Sequence, residues 1–426
     1  MAFWIHAAAH KHPDRVAIEG RDRSLTYAQL SSAAGSAAGA LQELGATPGS
    51  RVGLALPSGP DFVIALWACL LGGAAAVPVD LRLSEEERGQ RRAGAQFVIS
   101  ESLGSAACSE RMLGGAEDPV AVMHTSGTTA APKPVVLTHG NFLASALGSA
   151  VALGLDPAER WLCPMPLTHV GGLSIPVRSA IYATTTVLHG SFETEAVLND
   201  LMDPARRITL VSLVPTMLAR LLDAGLQRPP TLRWALLGGG PIAPALLARA
   251  AAAGVPVASS YGMTEACSQI ATFGWPLPGV ELRLQGPEEE IVVRGPIVSE
   301  GAVGADGWLH TGDLGRFDDR SRLQIIGRKS DTIVTGGENV APAEVEAVLL
   351  EHPDVADAAV HPRPDPEWGE AVIATIVLRD GAPARPEELR EFCAGRVARF
   401  KVPKAFEFAP ELPRTPSGKL LRRELT

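Results

Sequence analysis

Lysine is scarce in this 426-residue chain: only six of its 38 basic residues are Lys, at positions 11, 133, 329, 401, 404 and 419. Arginine serves wherever a generic cation suffices, so a lysine that persists marks a place a planar guanidinium cannot fill. Lys133 and Lys419 stand out on that ground. Cysteine is equally thin. Cys69, Cys108, Cys163, Cys267 and Cys393 lie far apart with no C-x-x-C pair, which argues against a disulfide framework or a zinc cluster and fits a reducing compartment. A formal net charge of -9, with the acidic residues scattered, leaves no basic footprint for nucleic acid. Residues 1–14 lack a cationic start followed by a long apolar core, so no export signal is expected. The longest uncharged stretch, 62–79, is broken by Gly72, Gly73 and Pro78; it reads as a buried helix turning into a strand rather than a membrane span. A cytoplasmic protein acting on small molecules is the expectation. No G-x-S-x-G, H-E-x-x-H or Walker A pattern occurs, so hydrolase and P-loop readings lack support.

What is present fits a globular chain of more than one domain, 46% apolar and 20% charged. An Ala-rich helical stretch follows Leu25-Thr26-Tyr27 and runs to Gly45; residues 51–56 then form a β-like run ended by Pro57. Residues 120–123, 208–214 and 234–237 read as buried strands, and 138–151, 215–224 and 243–253 as helices. That alternation predicts parallel strands with crossover helices. After Phe273 shorter strands separated by turns, including 290–293 and 323–326, predict an antiparallel subdomain. Beyond Gly327 a small α+β unit is expected, with helices at 343–351 and 386–394 and strands at 355–361 and 371–378.

The sharpest local signal is Thr125-Ser126-Gly127-Thr128-Thr129-Ala130-Ala131-Pro132-Lys133, between a predicted strand and a helix. Its hydroxyls, flexible Gly and Lys offer donors and positive charge to a polyphosphate. Leu237-Gly238-Gly239-Gly240-Pro241 formally matches a dinucleotide fingerprint, but the next strand leads into Ser260-Tyr261-Gly262-Met263-Thr264-Glu265 rather than closing on an acidic residue. Flat glycine backbone and Tyr261 suit the two faces of a purine, and Glu265 suits a metal ion. Downstream, Gly307-Trp308-Leu309-His310-Thr311-Gly312-Asp313 supplies an acceptor for sugar hydroxyls and Gly327-Arg328-Lys329-Ser330-Asp331 a cation for the same ribose or a phosphate. Thr335-Gly336-Gly337-Glu338-Asn339-Val340 and Pro416-Ser417-Gly418-Lys419 complete the series.

In this order the motifs resemble those of the adenylate-forming superfamily of acyl-CoA ligases, luciferases and peptide-synthetase adenylation domains, over nearly the whole chain. The phosphate loop departs from that pattern where Ala130 and Pro134 stand in place of Gly. The resemblance implies an α/β fold: a large N-terminal domain over 1–327, with two α/β sheets and a small β-barrel-like subdomain, then a small mobile α+β lid over 328–426. It implies ATP, Mg²⁺ and CoA as ligands. Thr125, Ser126, Gly127, Thr128, Thr129 and Lys133 would meet the phosphates, and Gly238, Gly239, Gly240, Pro241, Ser260, Tyr261 and Gly262 the adenine. Thr264 would meet the α-phosphate, Asp313 and Arg328 the ribose, Glu265 and Thr129 the metal. Gly336, Gly337 and Glu338 would line the CoA tunnel after the lid turns about a hinge near 329–331. Lys419 is the implied catalytic cation, acting with His169 and Glu265.

The run from Trp161 to Ser174, with Arg178 to Tyr182 and Cys267-Ser268-Gln269, resembles the acyl-pocket region of the 2-succinylbenzoate-CoA ligase branch, except that Thr168 stands where Phe is common. The implied acid contacts are His169, Arg178, Gly239 and Ser268. An Arg amid Ile175, Pro176, Val177 and Ile181 is expensive to bury unpaired, and a dicarboxylic acid offers a partner. Open alternatives are an Arg178 that reaches solvent from a helix end, a His169 that is an ordinary core histidine, and a ligase for another aromatic or medium-chain acid. A carrier-loading domain is disfavoured because no carrier-like stretch follows Thr426, and an inactive adenylate sensor because Glu265, Asp313 and Lys419 are all present. His6, His10 and His12, at helical spacing, are expected to bind no metal for want of a second element. Self-association is left open.

Overall fold

A computed structural model describes residues 3–107, 115–125, 133–414 and 420–425. The described strands form four sheets. The largest runs, from one edge to the other, Trp275–Pro276, Ser268–Thr272, Val257–Met263, Trp234–Leu237, Leu210–Leu213, Arg160–Cys163, Thr185–Leu188, Val16–Glu19 and Ser24–Thr26. Its middle is parallel, with Leu210–Leu213 in register with Trp234–Leu237 residue by residue. Successive side chains of a strand point to opposite faces, and here both faces are covered. Trp161 and Cys163 join the core that includes Leu66, Trp67 and Leu173, while Leu162 joins Val211, Leu218 and Leu221 on the other side. That double burial is why these segments read as continuous apolar runs.

A second sheet, ordered Phe97–Ile99, Arg51–Leu54, Ala75–Pro78, Pro119–Thr125 and Lys133–Thr138, packs its inner face into the same core. Helices Tyr27–Glu43 and Pro60–Leu71 contribute Leu30, Ala34, Ala38, Phe62 and Leu66 to it. The stretch 62–79 is indeed a buried helix that turns into a strand. No helix among the described residues is long and apolar enough to cross a membrane.

Glu281–Gln285, Glu290–Arg294, Leu309–Phe317 and Leu323–Arg328 make an antiparallel four-stranded sheet. Further on, Val355–Asp365 and Gly369–Leu378 pair along their length, flanked by Ile333–Thr335, Glu338–Val340 and Ala405–Phe408. Helices Pro342–Leu349 and Pro386–Ala394 close a core of their own, which includes Val345, Leu349, Val360, Val372, Ile376 and Leu389. The chain end is fastened to this unit by charge. Arg422 reaches Glu346 through Nη2 at 2.7 Å and Asp331 through Nη1 at 2.9 Å, and Arg414 reaches Asp357 through Nη2 at 2.6 Å.

Burial pushes the Glu346 carboxyl above its usual range, with Arg422 pulling the other way. A raised carboxyl favours the folded chain where it is protonated, below the unfolded value, and penalises it as pH rises through the folded value. Without Arg422 that penalty grows. Arg422→Ala is therefore expected to cost about 3–5 kcal/mol near neutral pH, as for a buried charge stripped of its partner, and markedly less near about pH 4. Thermal unfolding of variant and parent at both pH values checks this; an equal deficit at the two would rule the ion pair out as its source.

Candidate active site

The residues expected to meet the acid centre on one helix, Val170–Tyr182, which follows the strand Arg160–Cys163. His169 caps its start in extended backbone, with Nε2 3.8 Å from Asp80 Oδ2. Burial holds the imidazole below its ordinary range, Asp80 opposing and Arg82 and Arg91 adding to the effect. Its side chain is 42% exposed, so His169 is not a sealed core histidine. Asp80 follows the strand Ala75–Pro78 and is gripped by Arg82, Nε to Oδ1 at 2.9 Å and Nη2 to Oδ2 at 2.6 Å. Burial alone would raise the Asp80 carboxyl; the Arg82 contacts outweigh it and hold it low.

Arg178 lies two turns along that helix and is only 1% exposed. The solvent-reaching alternative is thereby excluded. Nη2 donates to Ser145 Oγ at 2.9 Å, the guanidinium stands 5.8 Å from the Trp161 ring centre, and Nε has no hydrogen-bond partner. No carboxylate among the described residues forms an ion pair with it. Burial pushes its pKa down, Tyr182 and Cys267 opposing, yet a guanidinium starts so high that it keeps its charge.

The residues expected to hold the nucleotide lie where the parallel strands end. Gly238, Gly239, Gly240 and Pro241 follow the strand Trp234–Leu237, beside Ser260, Tyr261 and Gly262 in Val257–Met263. Crevices at the carboxyl ends of parallel strands are the usual ligand sites of such sheets. Tyr261 Oη donates to Asp313 Oδ2 at 2.8 Å and Arg328 Nε to Asp313 Oδ1 at 2.9 Å. The second contact follows from register, since Asp313 and Arg328 are cross-strand partners. Burial, with Asp313 adding, lifts the Tyr261 phenol far above its usual range, so it stays a donor. A carboxylate has about four acceptor positions, so the Asp313 oxygens retain capacity for vicinal hydroxyls.

Thr264 and Glu265 sit in the 3-10 turn Thr264–Ala266. The chain leaves it through Cys267 and Ser268, both non-glycine residues at positive φ, 49° and 91°. Gly262 permits this bend: a Cβ there would lie 1.7 Å from the Ser268 carbonyl oxygen. Glu265 is one carboxylate, and no cluster of three or more metal-ligating side chains occurs among the described residues. That donor set fits Mg²⁺, which keeps waters and is held by one or two carboxylates plus substrate phosphates.

Thr125 ends the strand Pro119–Thr125 and pairs with Lys133, the first residue of Lys133–Thr138. Ser126, Gly127, Thr128 and Thr129 fall outside the described residues, as does Lys419. The Gly336–Val340 stretch lies in a tight hairpin. Gly336 and Gly337 take φ of 59° and 84° between the paired residues Thr335 and Glu338. Two consecutive positive φ values are what a two-residue hairpin turn demands.

Asp80, Arg82 and Ser145 escaped the sequence reading. Asp80 had a signal, its place at the end of an apolar run; Ser145, mid-helix in His139–Leu153, had none. His6 Nδ1 lies 2.8 Å from Ser31 Oγ, an ordinary structural contact.

Comparison with known proteins extends this geometry. Residues 5–112 and 105–304 match the AMP-binding enzyme family, and residues 344–419 its C-terminal domain. The 2-succinylbenzoate--CoA ligase of Bacillus licheniformis is 39% identical, with 99% of this chain and 98% of that protein covered. The o-succinylbenzoate CoA synthetase of Bacillus subtilis, solved in complex with its acyl-adenylate intermediate, superposes with a TM-score of 0.91 at 35% identity, covering 99% of this chain and 97% of that one. The same enzyme with ATP and magnesium ion gives 0.90 at 35% identity, covering 99% and 98%. With both family regions matched and relatives above one-third identity end to end, the chain belongs to the AMP-binding enzyme family.

Proposed function

We propose that this protein joins 2-succinylbenzoate to CoA at the expense of ATP, in two steps. In the first, a carboxylate oxygen of the acid bonds to the α-phosphorus of ATP and the bond from that phosphorus to pyrophosphate breaks, leaving an acyl-adenylate. In the second, the CoA sulfur, its proton lost, bonds to the acyl carbon while the carbon–oxygen bond to phosphate breaks and AMP departs. The observation that carries the substrate assignment is Arg178, a guanidinium 1% exposed that donates to Ser145 and has no carboxylate partner among the described residues. Such a charge is costly unless an anion meets it. The second carboxylate of 2-succinylbenzoate is such an anion, and the relatives described above carry this activity in their names.

In this reading Asp313 and Arg328 hold the ribose, Tyr261 and the Gly238–Pro241 turn the adenine with Ser260 and Gly262, and Thr264 the α-phosphate. Thr125, Ser126, Gly127, Thr128 and Lys133 face the leaving phosphates. Glu265, with Thr129, would hold Mg²⁺, which offsets phosphate charge when bound. His169, neutral, screens the acyl pocket beside Gly239 and Ser268. Lys419 brings its ammonium between two anions, where the developing charge is greatest. Gly336, Gly337 and Glu338 guide the CoA arm after residues 328–426 turn against 1–327. Lys329 Nζ pairs with Glu288 at 2.8 Å beside that hinge, and turning breaks the contact.

Formation of CoA-thioester and AMP from a panel of acids tests the assignment, with 2-succinylbenzoate expected to outrun benzoate and a fatty acid. Arg178→Ala should raise KM for 2-succinylbenzoate about 30-fold or more, the usual cost of stripping a buried charge pair, while sparing a monoacid; equal losses for both would sink the assignment. Lys419→Ala should slow adenylation about 10²- to 10³-fold, yet leave the transfer from supplied acyl-adenylate to CoA intact. Single-turnover assays of each step separate the two.

A further inference from the structure

Ser145 lies on the helix His139–Leu153, 0% exposed, with no role in binding nucleotide or acid assigned above. Its hydroxyl makes two contacts of opposite sense. It accepts from Arg178 Nη2 at 2.9 Å and donates to the Cys267 carbonyl oxygen at 2.8 Å. A hydroxyl has one proton. With that proton committed to Cys267, an oxygen lone pair is left facing the guanidinium, so the polarity of the chain Arg178, Ser145, Cys267 runs one way only. The far end is no ordinary carbonyl. Cys267 and Ser268 are consecutive non-glycine residues at positive φ, and such backbone persists only where its surroundings over-determine it. They follow directly on Thr264 and Glu265. Ser145 thus ties the buried cation to the turn that carries the proposed metal carboxylate.

We infer that Ser145 is a specificity-determining positioning residue: it aims Arg178 at the distal carboxylate of the acid and locks that aim to the Glu265–Ser268 turn. The inference rests on the substrate reading above. Arg178 has five N–H donors, and Ser145 is the one hydrogen-bond acceptor recorded for it among the described residues. Take that acceptor away and the planar head is free to rotate about its stem, so the fork no longer meets a carboxylate in one fixed orientation. A residue that merely filled space would affect all acids alike. Ser145 acts through Arg178, so its loss is felt by the acid that uses Arg178.

The test compares Ser145→Ala, Arg178→Ala and the double variant on two acids: 2-succinylbenzoate, and the same molecule with hydrogen in place of the carboxylate that is not activated. Ser145→Ala is expected to raise KM for the dicarboxylate about tenfold, the worth of one charged hydrogen bond. Its kcat should fall less than its KM rises, and KM for the monoacid should change less than about twofold. The double variant should be no worse than Arg178→Ala alone, because both substitutions break one chain of contacts. Ser145→Cys, close in volume but weak as donor and acceptor, must show the same selective rise; it guards against a folding defect in the Ala variant, which thermal unfolding also reads. If Arg178→Ala discriminates between the acids while Ser145→Ala and Ser145→Cys do not, or if the two losses add, the positioning role is overturned and the substrate reading stands. If Arg178→Ala does not discriminate either, both fall together.

Discussion

A guanidinium sits buried in the N-terminal part of the chain with no carboxylate paired to it among the described residues. Arg178 shares its surroundings with Trp161, Val177 and Leu173, all buried, and one serine oxygen meets it. Placing a lone ion in such a medium costs several kcal/mol even after relaxation. Elsewhere the chain takes care to avoid that cost. Glu159, 2% exposed, has Arg233 at 2.8 Å, and Glu346 has Arg422. Against that habit, Arg178 is the exception, and exceptions of this kind collect where a ligand completes the structure. The surrounding cores, which seal both faces of the nine-stranded sheet, supply the stability against which the exception is tolerated.

The sheets then set distances that no single motif controls. Arg328 meets Asp313 because antiparallel register places them opposite each other, and Tyr261 reaches the same carboxylate from a different sheet. Asp313 is thus a junction between the large parallel sheet and the small antiparallel one. Arg178 lies on the helix that His169 caps, so one continuous segment carries both side chains. Between them and the nucleotide side stands the strained Cys267–Ser268 bend, made possible by a missing side chain at Gly262.

Much of this was legible from residues alone. Buried parallel strands such as Trp234–Leu237 declare themselves as short apolar runs, and helices such as Pro215–Asp223 begin at Pro, as expected for a first-turn residue. Motif order conveyed the family, and Arg178 stood out because its neighbours in sequence are apolar. What stayed hidden depends on tertiary placement. Ser145 looks like any small residue of an Ala-rich helix until the fold brings Cys267 and Arg178 to it from residues more than 30 positions away. The hairpin at Thr335 to Val340 leaves little trace in the sequence, since the strands either side are three residues each, too short for alternation to show. Asp80 was passed over for a related reason, since one acidic residue after an apolar run carries no label until His169 arrives beside it.

Pro134 bears on how the phosphate segment is framed. It replaces a customary glycine, but it pairs with His124 inside Lys133–Thr138, which is the outermost strand of its sheet. Proline is at home on a border strand, where a missing N–H is not missed by a neighbour on the far side. Rigidity introduced there belongs to the frame and not to whatever closes over the phosphates. An outermost strand with one fewer donor is also a poorer template for a stray extended chain, so the same substitution that stiffens this border strand discourages it from recruiting a foreign one.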